Sequence, residues 1–277
     1  MELFDSHAHY NDEKFEKDRD EIIHEIYDSG VTRFICAGYS LESSVKALEI
    51  ANKYEFISTT AGISPNDIPG SVQDEDLDGK SQEEKEKLFT ESKEIVDKQL
   101  TEIEKLANND KVVAIGEIGL DYHWNVQNKE LQKYVFIKQI EIANKLNLPI
   151  VIHTRDAVMD TLDILKNISP TTRPGVFHCC PLNVELVKEA LKLGFYISFA
   201  GPVTFKNSKN AKEIANMVPL DRMLIETDSP YLAPEPVRGT RNDSRNVRFV
   251  AEKIAEFRGI DVEVVAKQTY ENAVRIF

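Results

Sequence analysis

VVAIGEIGL (112–120) is an apolar run of strand length; it is followed by a stretch of helical period at Gln127–Leu146 and then by a second apolar run, PIVIHT (149–154). A strand, a helix and a strand in that order make a parallel pair, because the helix returns the chain to the starting edge of the sheet. The alternation extends both ways. Upstream lie LFDSHAH (3–9), VTRFICAGY (31–39) and FISTTAGI (56–63); downstream lie GVFHC (175–179), FYISFAG (195–201) and RMLIETD (222–228). Helical stretches separate and follow them at Lys14–Ser29, Leu41–Lys53, Ser81–Asn108, Ala157–Lys166, Asn183–Leu193, Asn207–Met217, Ser244–Arg258 and Val262–Ile276. In Asn183–Leu193 the apolar positions 184, 186, 187, 190 and 191 form one stripe of helical period, suited to burial against a sheet. Eight such strands are the number that closes an α/β (β/α)₈ TIM barrel, which the sequence predicts as a single domain over residues 1–277.

Composition agrees. At 42% hydrophobic residues the chain can build a sizeable core, and its 277 residues suit one barrel, since such folds reach roughly 250 residues as a unit. No internal repeat, Gly/Ser linker or low-complexity segment marks a domain boundary, and the polar, acidic Pro69–Lys87 reads as a long loop running into the third helix. The opening MELFDSHAHYNDEKF lacks the basic and apolar regions of a secretion signal, and no stretch approaches a membrane span, so a cytoplasmic location without a membrane partner is expected. Cys36, Cys179 and Cys180 are odd in number and include an adjacent pair, which argues for reduced thiols rather than a disulfide framework. A net charge of −13 excludes a broad basic surface for nucleic acid. A polyanion could approach only where bound divalent cations reverse the local field.

Four of the six histidines fall in predicted strands, where an unpartnered polar side chain is costly. Alternation along the first strand puts Asp5, His7 and His9 on one face, and two imidazoles at that spacing suit a metal. Glu117, His153, His178 and Asp228 each stand at the carboxyl end of a predicted strand, the face where barrels of this kind build their active sites. A lone strand histidine is usually a hydrogen-bonded core residue, but shared placement at one end of several strands points to ligation. Four imidazoles and two carboxylates can hold two ions such as Zn²⁺ or Mn²⁺ if one carboxylate bridges. Two metals can activate a water for attack on phosphorus, with Asp228 able to accept its proton. His24 lies within the first helix, on its surface or packed there. His123, in the loop after the fourth strand, can reach substrate or serve a structural role.

These residues stand in a recognisable order: FDSHAH near the start, GEIGLDYH (116–123), VIHTRDA (151–157), FHC (177–179), ISFAGPVTF (197–205) and LIETDSPYLAPEPVRGTRN (224–242). Over nearly its whole length the chain resembles the TatD family of metal-dependent deoxyribonucleases, within the amidohydrolase-like barrels. The resemblance implies two divalent ions (Mg, Mn or Zn) and a 3′–5′ exonuclease acting on single-stranded DNA, expected as a monomer. By the same likeness His7 and His9 would hold one ion with Asp228, His153 and His178 the other, and Glu117 would bridge; Asp228 and Glu117 would be the catalytic pair. Arg155 suits a phosphate, with an ion pair to Asp156 as the alternative. LAPEPVRGTRN would pack over the barrel mouth, its Arg238 and Arg241, with Arg245 and Arg248 beyond, supplying positive charge or merely solvating a helix. The chain departs from the family pattern twice. Ser64-Pro65-Asn66 stands where His-Pro-His is common, which leaves Asn66 as the candidate substrate contact there, and Cys179-Cys180-Pro181-Leu182 replaces a Ser/Gly turn. Two competing readings follow from the same scaffold: a metal-dependent amide or ester hydrolase, such as a D-aminoacyl-tRNA deacylase, and a non-catalytic protein stabilised by metal.

Overall fold

The computed structural model describes residues 1–70, 77–124 and 128–277. Among them, eight parallel strands pair in chain order: β1 Leu3–Ala8, β2 Val31–Cys36, β3 Ile57–Ala61, β4 Val112–Asp121, β5 Ile150–Arg155, β6 Val176–Phe177, β7 Tyr196–Phe199 and β8 Met223–Ile225. Helices α1 Arg19–Asp28, α2 Leu41–Lys53, α3 Gln82–Leu106, α4 Lys129–Leu146, α5 Val158–Asp163, α6 Val184–Lys192, α7 Ala211–Met217, α8 Val247–Arg258 and α9 Val262–Ile276 lie outside the strands. The single α/β barrel read from the alternation is the fold observed. The loop expected at Pro69–Lys87 ends earlier, because Ser81 and Glu84 form a capping box that starts α3; residues 71–76 and Gln127 lie outside the described residues. The first expected helix begins as a 3₁₀ turn at Glu13–Phe15, capped by the Asp12 side chain, before α1.

Seven strands each send one side chain inward: Phe4, Ile35, Ala114, Val151, Val176, Tyr196 and Leu224 pack together with Ala273 and Ile276 of α9. That layer fills the barrel interior, so the space for chemistry is left at the other, carboxyl end. Several strands stop short of their expected ends there. Beyond β6 and β8 the chain leaves the sheet, with Cys179 and Asp228 both in the left-handed region (φ 37° and 56°).

The barrel closes between β1 and the chain just past β8. Asp228 N–H donates to the His7 carbonyl at 2.9 Å, His9 N–H donates to the Ser229 carbonyl at 2.6 Å, and Ala8 bridges Ser229. Asp5 fastens this seam, its carboxylate accepting from Thr227 N–H at 2.9 Å and from Thr227 Oγ1 at 2.5 Å. Alternation in β1 therefore fails at Asp5: the register shifts between Asp5 and Ala8, so Asp5 turns to the seam while His7 turns to the mouth.

Burial raises the Asp5 carboxyl from 3.8 to about 7. A folded-state acid with a raised pKa holds its proton where the unfolded chain has lost it, so its contribution to stability grows as pH falls from 7 toward 4. Urea unfolding of wild type and Asp5→Asn across that range should show the wild type gaining stability relative to the variant as pH falls. Asp5→Ala, which strands Thr227 N–H in the core, should cost about 1–3 kcal/mol near pH 4, and less as pH rises toward 7.

Candidate metal centre

Six side chains from five places in the chain meet at the carboxyl end of the barrel. β1 supplies His7 and leads into His9, whose Nε2 atoms are 3.1 Å apart. β4 supplies Glu117 and β5 His153, while His178 follows β6 directly and Asp228 stands three residues past β8. Gly119 makes the close approach of β4 and β5 possible: at φ 142° any Cβ there would collide with the His153 carbonyl oxygen.

Glu117 divides the group in two. Its Oε2 lies 3.4 Å from His7 Nε2 and 3.7 Å from His9 Nε2. Its Oε1 lies 3.1 Å from His153 Nδ1 and 3.3 Å from His178 Nε2. Asp228 joins the first set, with Oδ1 at 3.3 Å from His9 Nε2 and 3.8 Å from His7 Nε2. His7, His9 and Asp228 form one group spaced to hold an ion, and His7, Glu117 and His178 another.

The outer partners of the imidazoles test whether cations fit. His9 Nδ1 faces the Ala37 carbonyl at 3.1 Å, and His153 Nε2 faces Asp121 Oδ2 at 2.9 Å. Both partners only accept, so each ring carries its proton outward and aims a bare lone pair at the carboxylates inside. His178 Nδ1 likewise stands 3.3 Å from Glu226 Oε1. Bare nitrogens facing carboxylate oxygens at these distances repel unless a proton or a cation stands between them. The ionisation tendencies agree. Burial opposes charge throughout, but it is outweighed at Glu117 by His178, His153 and His7, which hold the carboxyl well below its usual range. Asp228 is lowered against burial by His9. His178 is raised well above normal by Glu117 and Glu226, and His153 is raised by Asp121 and Glu117, again against burial. His7 is lowered by burial and by His178, which favours the neutral ring a metal requires. The donor set therefore fits divalent cations of the borderline class.

Asp121 and Glu226 are the residues that reasoning from the sequence missed. Asp121 also accepts from Asn66 Nδ2 at 3.2 Å, from His123 N–H at 2.9 Å and from Trp124 N–H at 3.2 Å; against burial, His153, Asn66 and the Trp124 N–H pull its carboxyl down to about 2. Glu226 accepts from Cys179 N–H at 2.5 Å, so the amide of the departing Cys179-Cys180 turn is committed to the barrel rather than offered to a ligand. A carboxylate buried in an otherwise apolar strand end was the available signal for both.

Above the six residues opens a cavity of about 890 Å³, lined by His9, Glu117, His153, His178 and Asp228 and walled by Asn66, Trp124, Arg155, Cys179, Tyr231 and Leu232 among others. Asn66 and Arg155 thus stand where a ligand would enter. His123 does not line it; its Nδ1 pairs with Asp156 at 3.1 Å, which takes Asp156 away from Arg155. The arginines of the 232–242 loop and beyond do not line it either. Arg241 grips Asp18, Arg245 grips Asp243 and Glu25, and Arg238 packs over Phe205. The charges of Arg241 and Arg245 are thus neutralised within the fold rather than offered at the mouth. His24 sits on α1, bonded to the Asp20 carbonyl at 2.6 Å.

The family model described as TatD related DNase matches residues 4–277. The chain is 40% identical over 275 residues to the uncharacterized metal-dependent hydrolase YabD of Bacillus subtilis, covering 99% of this chain and 98% of that protein. It is 36% identical over 280 residues to the uncharacterized metal-dependent hydrolase YcfH of Escherichia coli, covering 100% of this chain and 96% of that one. In fold it superposes on the crystal structure of YjjV, a TatD homolog from Escherichia coli, with a TM-score of 0.83 at 23% identity, over 99% of this chain and 97% of that one.

Removing an outer partner should weaken metal without removing a ligand. Asp121→Asn should lower affinity at the His153–His178 end by about 10–100-fold in a chelator competition titration, with the other end little changed. Metal uptake by the wild type should release protons, and affinity should fall on acidification, because the raised His153 and His178 must give up protons to bind.

Proposed function

We propose that this chain, which belongs to the TatD-related DNase family and is a metal-dependent hydrolase, cleaves phosphodiester bonds of DNA stepwise from an unpaired 3′ end. The observation that carries the reading is Glu117, whose two oxygens face two separate sets of imidazoles at the floor of an open cavity. Family likeness supplies DNA and the direction of cleavage; the site supplies the hydrolysis. His7, His9 and Asp228 would hold one divalent cation, His153 and His178 a second, and Glu117 would span both. When bound, Mg²⁺, Mn²⁺ or Zn²⁺ ions neutralise phosphate charge and lower the pKa of water toward neutrality.

The remaining work falls to side chains. Asp228 lines the cavity and is kept ionised by His9, so it is available to take the proton of the attacking water. Glu117 keeps the two imidazole sets in register. Arg155 has no carboxylate within ion-pair distance among the described residues, and its planar fork suits the oxygens of a phosphate. Access to the cavity argues against metals that only stabilise the fold, since structural sites are closed by protein ligands. Every residue named comes from this chain, so the proposed site needs no residue from a second copy. Among the described residues no helix is long and apolar enough to cross a membrane.

End-labelled single-stranded DNA with Mg²⁺ or Mn²⁺ should be shortened stepwise. EDTA should abolish the reaction, and Asp228→Asn should slow kcat by about 10²–10⁴-fold. Intact DNA in the presence of metal-loaded protein that hydrolyses an amide or ester instead would contradict the proposal.

A further inference from the structure

Trp124 is the chain's one tryptophan, and it stands at the cavity rim with 61% of its surface exposed. An indole left in water so close to the reacting groups is unusual, since large aromatic side chains are ordinarily buried or partnered. Its plane is nevertheless fixed. The Arg155 guanidinium lies over one face at 5.2 Å from the ring centroid, and the His123 ring meets it edge-on at 5.1 Å and 87°. His123 is itself held by Asp156 at 3.1 Å. One side of the indole is thus covered by a cation, and the ring as a whole keeps most of its surface in solvent. Across the same cavity, Tyr231 and Leu232 are also exposed, at 43% and 36%.

We infer that Trp124, backed by Arg155 and steadied by His123, is a stacking platform for one unpaired nucleobase next to the scissile phosphate. The inference rests on the phosphodiesterase reading above and makes its substrate class more specific. Base–aromatic stacking is tolerant of sequence, because every base offers a π-face, and a paired base within a duplex has no free face to offer. Arg155 is the one Lys or Arg among the described lining residues, so the site has charge for a single phosphate beside the platform. In a chain of net charge −13 the indole offers recognition that needs no further positive charge. A strand end with one base on Trp124 and its phosphate at Arg155 satisfies both. His123 then acts as a positioning residue rather than a substrate contact.

Because Trp124 is the sole tryptophan, its emission reports the platform directly. The metal-loaded protein should be titrated with a short oligothymidylate carrying phosphorothioate terminal linkages, and with the same strand abasic at its last two positions. The base-bearing strand should quench emission and the abasic strand should not. Trp124→Ala should raise KM for cleavable single-stranded DNA about tenfold or more with kcat little changed, and Trp124→Phe should restore most of the loss. His123→Ala should raise KM less than Trp124→Ala does. Cleavage by the wild type without base-dependent quenching, together with an unchanged KM in Trp124→Ala, would overturn the platform and leave the hydrolase reading standing. Absence of both cleavage and binding of any oligonucleotide would remove the phosphodiesterase reading, and the platform with it.

Discussion

Glu117 is a carboxylate placed inside a barrel, with four imidazoles and a second carboxylate around it, and most of the molecule's less ordinary features follow from keeping it there. A buried anion is costly unless charge and hydrogen bonds meet it on every side. Here each oxygen is met by a different pair of rings. Those rings need holding in turn, which is what Asp121, Glu226 and the Ala37 carbonyl do. The backbone complies as well: Gly119 lets β4 and β5 approach, and the seam at Asp5 sets β1 and the chain past β8 side by side, so that His7, His9 and Asp228 converge. The inner apolar layer at the other end supplies the rigid base on which this rests.

Electrostatics decide what such a site can accept. The protein is acidic, and the arginines nearest the mouth in sequence are spent on internal partners: Arg241 on Asp18, Arg245 on Asp243 and Glu25. An anionic substrate would therefore be drawn by the cations of the centre and by Arg155, over a short range, rather than steered across a broad surface. That arrangement suits a chain terminus better than a long bound strand, and it gives neutral contacts such as stacking on Trp124 a larger share of recognition.

Much of this was legible in the sequence. The six residues that meet at the barrel mouth could be named because each was read toward the carboxyl end of a strand, and in a parallel barrel all strand ends of one kind meet. The parts that were not legible depend on contacts between distant segments. Alternation placed Asp5 beside His7 and His9, but a register shift in β1 sends it to the seam, and nothing local marks that shift. The pairing of Arg241 with Asp18 joins opposite ends of the chain, so the loop arginines read as a positive mouth when taken alone. Asp121 and Glu226 stand within the recognised motifs GEIGLDYH and LIETDSPYLAPEPVRGTRN, and only the folded geometry shows that they face His153 and His178. His123 read equally well as contact or support; its bond to Asp156 and its absence from the cavity wall favour support.

The central claim is that Glu117 spans two cations held by one chain, and electron paramagnetic resonance of the manganese-loaded protein addresses it most directly. Two Mn²⁺ ions joined by a carboxylate are exchange-coupled, so the account predicts a multiline spectrum that appears as the second equivalent binds and is lost in Glu117→Gln. A six-line spectrum of isolated Mn²⁺ at full loading, unchanged by Glu117→Gln, would contradict it.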